Sequence, residues 1–230
     1  VGKLERDVLA QKIDTAVESL HQELVDFACE IFAIPTQNPP GYNYDKCTQA
    51  IGNMMKKIGM DVEYVSVPKE RLDELAPNGQ GLPRISVVGT MAGKESRPNI
   101  HFTGHYDVVP EGEGWTTDPY GCEIKDGNIY ARGSADQKSG IVSEVMAAYA
   151  LKKAGIKLKG TFIASATPDE ESGGQGGVGY MVEHGYFTKE STDSCVITEC
   201  LAVDKVCIGP RGPLWFEISN TGNQTPGRMQ

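Results

Sequence analysis

The chain has 230 residues, 39% hydrophobic and 23% charged, enough for one sizeable core plus a fragment of a second domain. Its 22 Lys and Arg against 31 Asp and Glu give a formal net charge of -9, which argues against nucleic acid or an anionic membrane surface as partner. The opening Val-Gly-Lys-Leu-Glu-Arg-Asp is charged and has no apolar stretch, and no run approaches the roughly 20 apolar residues that crossing a bilayer requires, so a cytoplasmic location is expected.

In chain order, apolar residues recur at helical spacing from Leu9 to about Phe32 (Leu9, Ile13, Ala16, Leu20, Leu24, Phe27, Ile31), predicting one long amphipathic helix. Pro35, Pro39, Pro40 and Gly41 break it, a second helix is expected from Tyr44 to Ile58, and the alternation from Asp61 to Val67 reads as a half-buried strand. Residues 69–83 read as a surface loop. Apolar, β-branched runs follow at Ile85–Val88, Ile100–Thr103, Thr161–Ala166 and Cys195–Thr198, with helical patterns at Ser139–Ala154 and Gly177–His184. Strands alternating with helices predict an α/β fold, a mixed, mostly parallel sheet flanked by helices. Ligands in such sheets sit beyond the carboxyl ends of the strands. After Asp204 the texture changes to Val206–Ile208, the turn Gly209-Pro210-Arg211-Gly212 and an alternating Leu214–Ile218, which predicts the start of a smaller α+β domain.

The six cysteines (Cys29, Cys47, Cys122, Cys195, Cys200, Cys207) are scattered without a C-x-x-C pair. They are expected to be reduced thiols, with neither a zinc knuckle nor a disulfide framework, and Cys200 a small buried hydrophobe.

Four segments carry candidate chemistry. In Gly104-His105-Tyr106-Asp107, the imidazole beyond a strand end can bind a metal while Asp107 accepts its other N–H; a structural histidine is the alternative. In Gly133-Ser134-Ala135-Asp136, Asp136 can cap the following helix or bridge two cations. In Pro168-Asp169-Glu170-Glu171-Ser172-Gly173, two adjacent glutamates would repel unless a cation or a shared proton stabilised them. One of them can bind metal while the other shuttles protons; a solvated acidic turn is the alternative. Glu199 closes the run Cys195–Thr198, and a carboxylate at a buried strand end needs Lys or a metal.

These segments, in this order, resemble the N-terminal two-thirds of the M20 metallopeptidase family, which includes acetylornithine deacetylase, succinyl-diaminopimelate desuccinylase, aminoacylase-1 and glutamate carboxypeptidase. The likeness runs from the opening helix through Ile34-Pro35-Thr36 and Asn38-Pro39-Pro40-Gly41 to Arg211-Gly212, nearly the whole chain. It is densest at His105-Tyr106-Asp107-Val108-Val109-Pro110, Trp115 with Asp118-Pro119, Arg132-Gly133 with Asp136, and Asp169 to Gly174. The resemblance implies a metal-dependent hydrolase of an amide-type C–N bond in a small N-acyl amino acid, dipeptide or related compound. By position, His105, Asp136 and Glu199 would hold one metal, and Asp136 and Glu171 would contribute to a second. Asp107 would orient His105, and Glu170 would take a proton from the attacking water and pass it to the leaving nitrogen. Zinc, one or two ions per chain, suits imidazole plus carboxylates, with manganese or cobalt as alternatives. The family's later metal-ligand histidine has no counterpart, since the last histidine is His184, inside a predicted helix. Pro226 stands about where the family's lid carries another. The resemblance therefore implies a catalytic domain at 1–208, lacking its C-terminal return segment, and the start of a lid at 209–230 of the kind that forms homodimers. A mononuclear C–N hydrolase or deaminase, and a truncated metal-binding module without catalysis, stay open beside the dinuclear hydrolase.

Overall fold

A computed structural model describes residues 2–199, 206–209 and 212. The chain divides into two units, Val1–Cys200 and Leu201–Gln230, and the first carries all the elements below. The expected strand at 214–218 lies outside the described residues.

The expected long N-terminal helix is two: α1 (Lys3–Glu18) and α2 (His21–Phe32). The Ser19 hydroxyl takes the Ala16 carbonyl at 2.7 Å, drawing that acceptor out of the helical ladder. The break turns Leu20 into the core, where it is 2% exposed. Helix α3 (Tyr44–Lys57) follows the proline cluster, and β1 (Asp61–Ser66) comes next. The stretch expected to be loop holds a 3-10 turn and α4 (Leu72–Leu75), because Leu72 and Leu75, three apart and so on one side of a helical turn, pack with Val67 and Tyr180.

Strands β2 (Ile85–Met91), β3 (Asn99–His105), β6 (Thr161–Thr167) and β7 (Ser194–Ile197) build the sheet with β1, in the order β1-β2-β6-β3-β7. β3 pairs in parallel with β6 and β7, while β2 is antiparallel to both β6 and β1. Four of the five strands thus point the same way, with β2 reversed. Between β3 and helix α5 (Lys138–Lys153) lies a hairpin, β4 (Glu123–Lys125) and β5 (Asn128–Tyr130). Its turn residues Asp126 and Gly127 both have positive φ, 52° and 75°, and Asp-Gly is the pair that two-residue hairpin turns prefer. Helix α6 (Tyr180–Glu183) ends at His184, whose Nδ1 lies 2.8 Å from the Tyr180 carbonyl oxygen and whose ring lies against the Tyr180 ring.

The main core joins α2, α3 and α5 to one face of the sheet. On β6, Phe162, Ala164 and Ala166 alternate inward, and Phe102 of β3 stacks on Phe162 at 4.7 Å. The buried polar side chains of His101, Thr103 and Ser165 lie on the opposite face. Strand β7, expected to be a buried apolar run, has exposed residues throughout, with Ile197 67% exposed. Among the described residues it is an edge strand, paired with β3 alone.

The expectation of reduced cysteines is overturned for two of the six, while Cys47, Cys195 and Cys207 are free. Cys29 of α2 and Cys122, just before β4, form a disulfide across a sequence separation of 93. Cysteines so far apart leave no spacing signature, and only the fold brings their Cα atoms to 5.4 Å.

Candidate metal centre

His105 is the last residue of β3 and is buried at 3% exposure. Its Nδ1–H donates to the main-chain carbonyl of Asp107 at 2.9 Å, with the Asp107 carboxylate at 3.3 Å. That leaves Nε2 facing a ring of carboxylates: Asp136 at 3.0 Å, Glu199 at 3.8 Å and Glu170 at 3.9 Å. Asp136 comes from the loop before α5, Glu170 and Glu171 from the turn after β6, and Glu199 from beyond β7. Two parallel strand ends and one helix entrance therefore point their acids at the imidazole that ends a third strand.

Each predicted site residue is accounted for. His105, Asp136 and Glu171 offer ligand atoms that all lie within 4.8 Å of one another, a separation one divalent cation can bridge. Glu199 approaches His105 but is not part of that compact set. Asp136 does not cap α5, whose N-cap is Gln137 with no side-chain cap bond. Glu170, 61% exposed, turns toward solvent at the rim.

Asp107 does more than sequence reasoning assigned it. It is completely buried, and its two oxygens accept the main-chain N–H groups of Glu170 and Glu171, each at 3.2 Å, and the Asn38 amide at 2.8 Å. Asn38 also donates to the Ser172 hydroxyl at 2.9 Å. One carboxylate thus fixes both the histidine and the turn that carries the glutamates. A second buried acid, Asp169, pairs with buried Arg84 at 2.7 Å and accepts from the Tyr44 hydroxyl at 3.0 Å. Sequence reasoning missed Arg84, Tyr44 and Asn38. Asn38 stands in a Pro-rich stretch that reads as a helix breaker, and an arginine beside Pro83 carries no sign of burial.

The electrostatics bear on what the cluster can hold. Burial alone would lower the His105 imidazole, but the hydrogen bond and charge of Asp107, then Glu170 and Asp136, carry it up to about 9. Burial pushes the Glu171 carboxyl up to about 7, reinforced by Asp136, Asp107 and Glu170 and opposed by His105. Glu170 is raised in the same direction, first by burial. The raised Glu170 and Glu171 carboxyls sit among further acids around one imidazole, and a divalent ion there would offset the mutual repulsion. The donor chemistry and spacing fit such an ion.

The profile of Peptidase family M20/M25/M40 matches residues 101–213, the stretch from β3 onward that contributes His105, Asp136, Glu171 and Glu199. Over those residues the chain is similar to peptidase family M20. It is 33% identical to a succinyl-diaminopimelate desuccinylase of Parvibaculum lavamentivorans over 152 residues, covering 63% of this chain and 38% of the relative. It is 29% identical to that of Zymomonas mobilis over 200 residues, covering 84% and 48%. Among solved structures, human carnosine dipeptidase 1 superposes with a TM-score of 0.66 at 22% identity, covering 81% of this chain and 40% of the other. The dipeptidase Dug1p of Saccharomyces cerevisiae superposes with a TM-score of 0.68 at 19% identity, with the same coverage. At those identities the structures share the fold. The chain spans less than half the length of the curated relatives it matches.

Proposed function

We propose that this chain carries the metal-binding catalytic part of a hydrolase that cleaves the amide-type C–N bond of a small N-acyl amino acid, dipeptide or related compound. The observation that carries the reading is the convergence of the His105, Asp136 and Glu171 donor atoms within 4.8 Å, with a separate, solvent-facing Glu170 beside them. His105, Asp136, Glu171 and Glu199 would hold one or two divalent cations, zinc by preference and manganese or cobalt as alternatives. A bound cation would supply Lewis-acid polarisation of the scissile carbonyl and a water activated near neutral pH. Glu170, whose carboxyl is raised by partial desolvation and by its acidic neighbours, would take the proton from the attacking water and return it to the leaving nitrogen. Asp107 keeps the His105 ring and the Glu170-Glu171 turn in register. The relatives named as desuccinylases favour an N-acyl, and specifically an N-succinyl, amide.

A division near residue 208 into a catalytic domain and a lid, and a homodimer formed through that lid, belong to the same proposal. On location, two observations pull apart. No helix among the described residues is long and apolar enough to cross a membrane, while a Cys29–Cys122 disulfide is foreign to a reducing cytoplasm. The bond's redox state in protein taken directly from cells decides between a cytoplasmic and an oxidising compartment.

The test is Glu170→Ala, with metal content by elemental analysis and hydrolysis of N-succinyl and dipeptide substrates. Metal near the wild-type level with turnover abolished supports the reading, and full activity refutes the assigned base. Two metal equivalents per chain support the dinuclear form. One equivalent with full activity supports the mononuclear hydrolase, and metal without hydrolysis supports a non-catalytic module.

A further inference from the structure

Behind the ring of acids lies a buried hydrogen-bond chain with no part in the proton transfers above. Gln137, 1% exposed, donates its side-chain amide N–H to Glu199 Oε2 at 2.8 Å. The amide's other end, Oε1, lies 3.4 Å from the Thr198 hydroxyl, which also contacts the Thr103 carbonyl at 3.2 Å and Glu144 at 3.4 Å. This arrangement fixes which way the amide points. Flipped, it would set its oxygen against the Glu199 carboxylate, so the N–H must face Glu199 and the oxygen must face Thr198.

The space for this amide is built into the fold. A Cβ at Gly140 of α5 would come within 2.7 Å of both Gln137 Oε1 and Thr198 Oγ1. One at Gly104 of β3 would come within 2.9 Å of Thr198 Oγ1 and closer still to Gln137 Oε1. Glycines from two elements therefore cut a niche that holds the amide head and the hydroxyl together. Glu144, 2% exposed, closes the far end. Its Oε2 lies 3.4 Å from the Thr198 hydroxyl, and burial pushes its carboxyl up.

We propose that Gln137 is a positioning residue for Glu199: from a niche bounded by Gly104 and Gly140, its amide holds Oε2, the Glu199 oxygen that lies 3.8 Å from His105 Nε2, and so fixes the carboxylate beside the cation site. The inference rests on reading Glu199 as a ligand. A carboxylate at the end of an exposed edge strand would otherwise sweep through several rotamers, and holding it removes that entropy from the cost of binding metal.

The experiment measures zinc affinity by chelator competition on the metal-free, full-length protein, with the metal-free melting temperature recorded beside it. Glu199→Ala identifies the zinc equivalent in question. Gln137→Met removes the donor at nearly constant shape, and Gln137→Glu replaces it with a second negative charge. Both are expected to weaken that equivalent about 10- to 100-fold, Glu more than Met, with metal-free melting close to wild type. A purely packing role would instead lower the melting temperature and leave affinity unchanged. Zinc affinity within twofold of wild type in both Gln137 variants, where Glu199→Ala loses it, overturns the proposal and leaves the ligand assignment standing. Wild-type affinity in Glu199→Ala overturns the ligand assignment itself, and this inference with it. Should the Gln137 variants fail to fold, Thr198→Val loses the hydroxyl that orients the amide without altering Gln137 or Glu199. A several-fold loss of zinc affinity then supports the proposal, and none overturns it.

Discussion

Replacing Arg84 with Met tests whether the turn that carries Glu170 and Glu171 is held by a buried charge pair. The guanidinium is 1% exposed, lies 2.7 Å from Asp169, donates to the Pro40 carbonyl at 2.8 Å and the Leu82 carbonyl at 3.0 Å, and sits 5.2 Å over the Tyr44 ring. It is packed as well as paired, since a Cβ at Gly176 would come within 2.8 Å of Arg84 Cγ and 2.7 Å of Asp169 Oδ2. Arg84→Met keeps the apolar stem and leaves the Asp169 carboxylate buried without its cation. Removing one member of a buried pair costs about 3–5 kcal/mol, a large share of the roughly 5–15 kcal/mol that holds a domain together. Burial already raises the Asp169 carboxyl, with Arg84 pulling it back, so in the variant Asp169 moves further up and takes a proton more readily. The assay is urea unfolding at pH 7 of wild type, Arg84→Met, Asp169→Asn and the double variant. Stability is expected to return in large part in the double variant, which buries no unpaired charge. Asp169 adopts a left-handed conformation at φ 68° and leads directly into Glu170 and Glu171, so Arg84→Met should also lower turnover at temperatures where it stays folded. A loss under about 1 kcal/mol in Arg84→Met, or a double variant as unstable as the sum of the singles, refutes this account.

Two further outcomes follow from buried groups outside the metal centre. Burial holds His101 at about 4 against an ordinary 6.5, so the unfolded chain takes a proton below pH 6.5 that the native chain refuses until about 4. Stability contributed by this group is full above pH 6.5 and is lost as pH falls toward 4, at up to about 1.4 kcal/mol per unit. Urea midpoints across that window should fall less steeply in His101→Gln, and equal slopes would remove His101 as the cause. Cys29 and Cys122 enclose a loop long enough that losing their bond in Cys29→Ser/Cys122→Ser should cost about 3–5 kcal/mol. Peptide mapping without reductant should recover the two cysteines in one linked fragment, and two separate peptides would contradict the pairing.

What could be read from the residues was whatever periodicity and local chemistry encode. The strand runs ending at His105 and just before Glu170 and Glu199 placed the acids at the carboxyl ends of a sheet because an apolar β-branched run followed by an acid is a local pattern. Asp126-Gly127 was equally local and marks a hairpin that was passed over, since its short strands carry little apolar signal. The division at Leu20 was not readable. Helical spacing continues through it, and only the Ser19 side-chain bond and the burial of Leu20 separate α1 from α2.

The largest omissions share one physical cause. Arg84, Lys138, Gln137 and Glu144 are polar or charged residues that the fold buries, and hydropathy assigns such side chains to the surface. Arg84, Lys138 and Gln137 are buried because something distant in sequence satisfies them. Lys138, for example, donates to the Ile31 and Ile34 carbonyls at 2.9 and 2.7 Å, at the end of α2. A sequence shows the residue that needs a partner but not the partner, so the ligand acids were visible while the residues that aim them were not. Asp107 marks the boundary between the two cases. Its spacing from His105 is local and was legible, whereas its grip on the Glu170 and Glu171 backbone, across 63 and 64 residues, exists only once β3 and β6 lie side by side. The distance between His105, the proposed ligand, and Glu170, the proposed base, is therefore set by strand register, and on the proposed function a substitution that shifts β3 against β6 should harm hydrolysis without altering either residue.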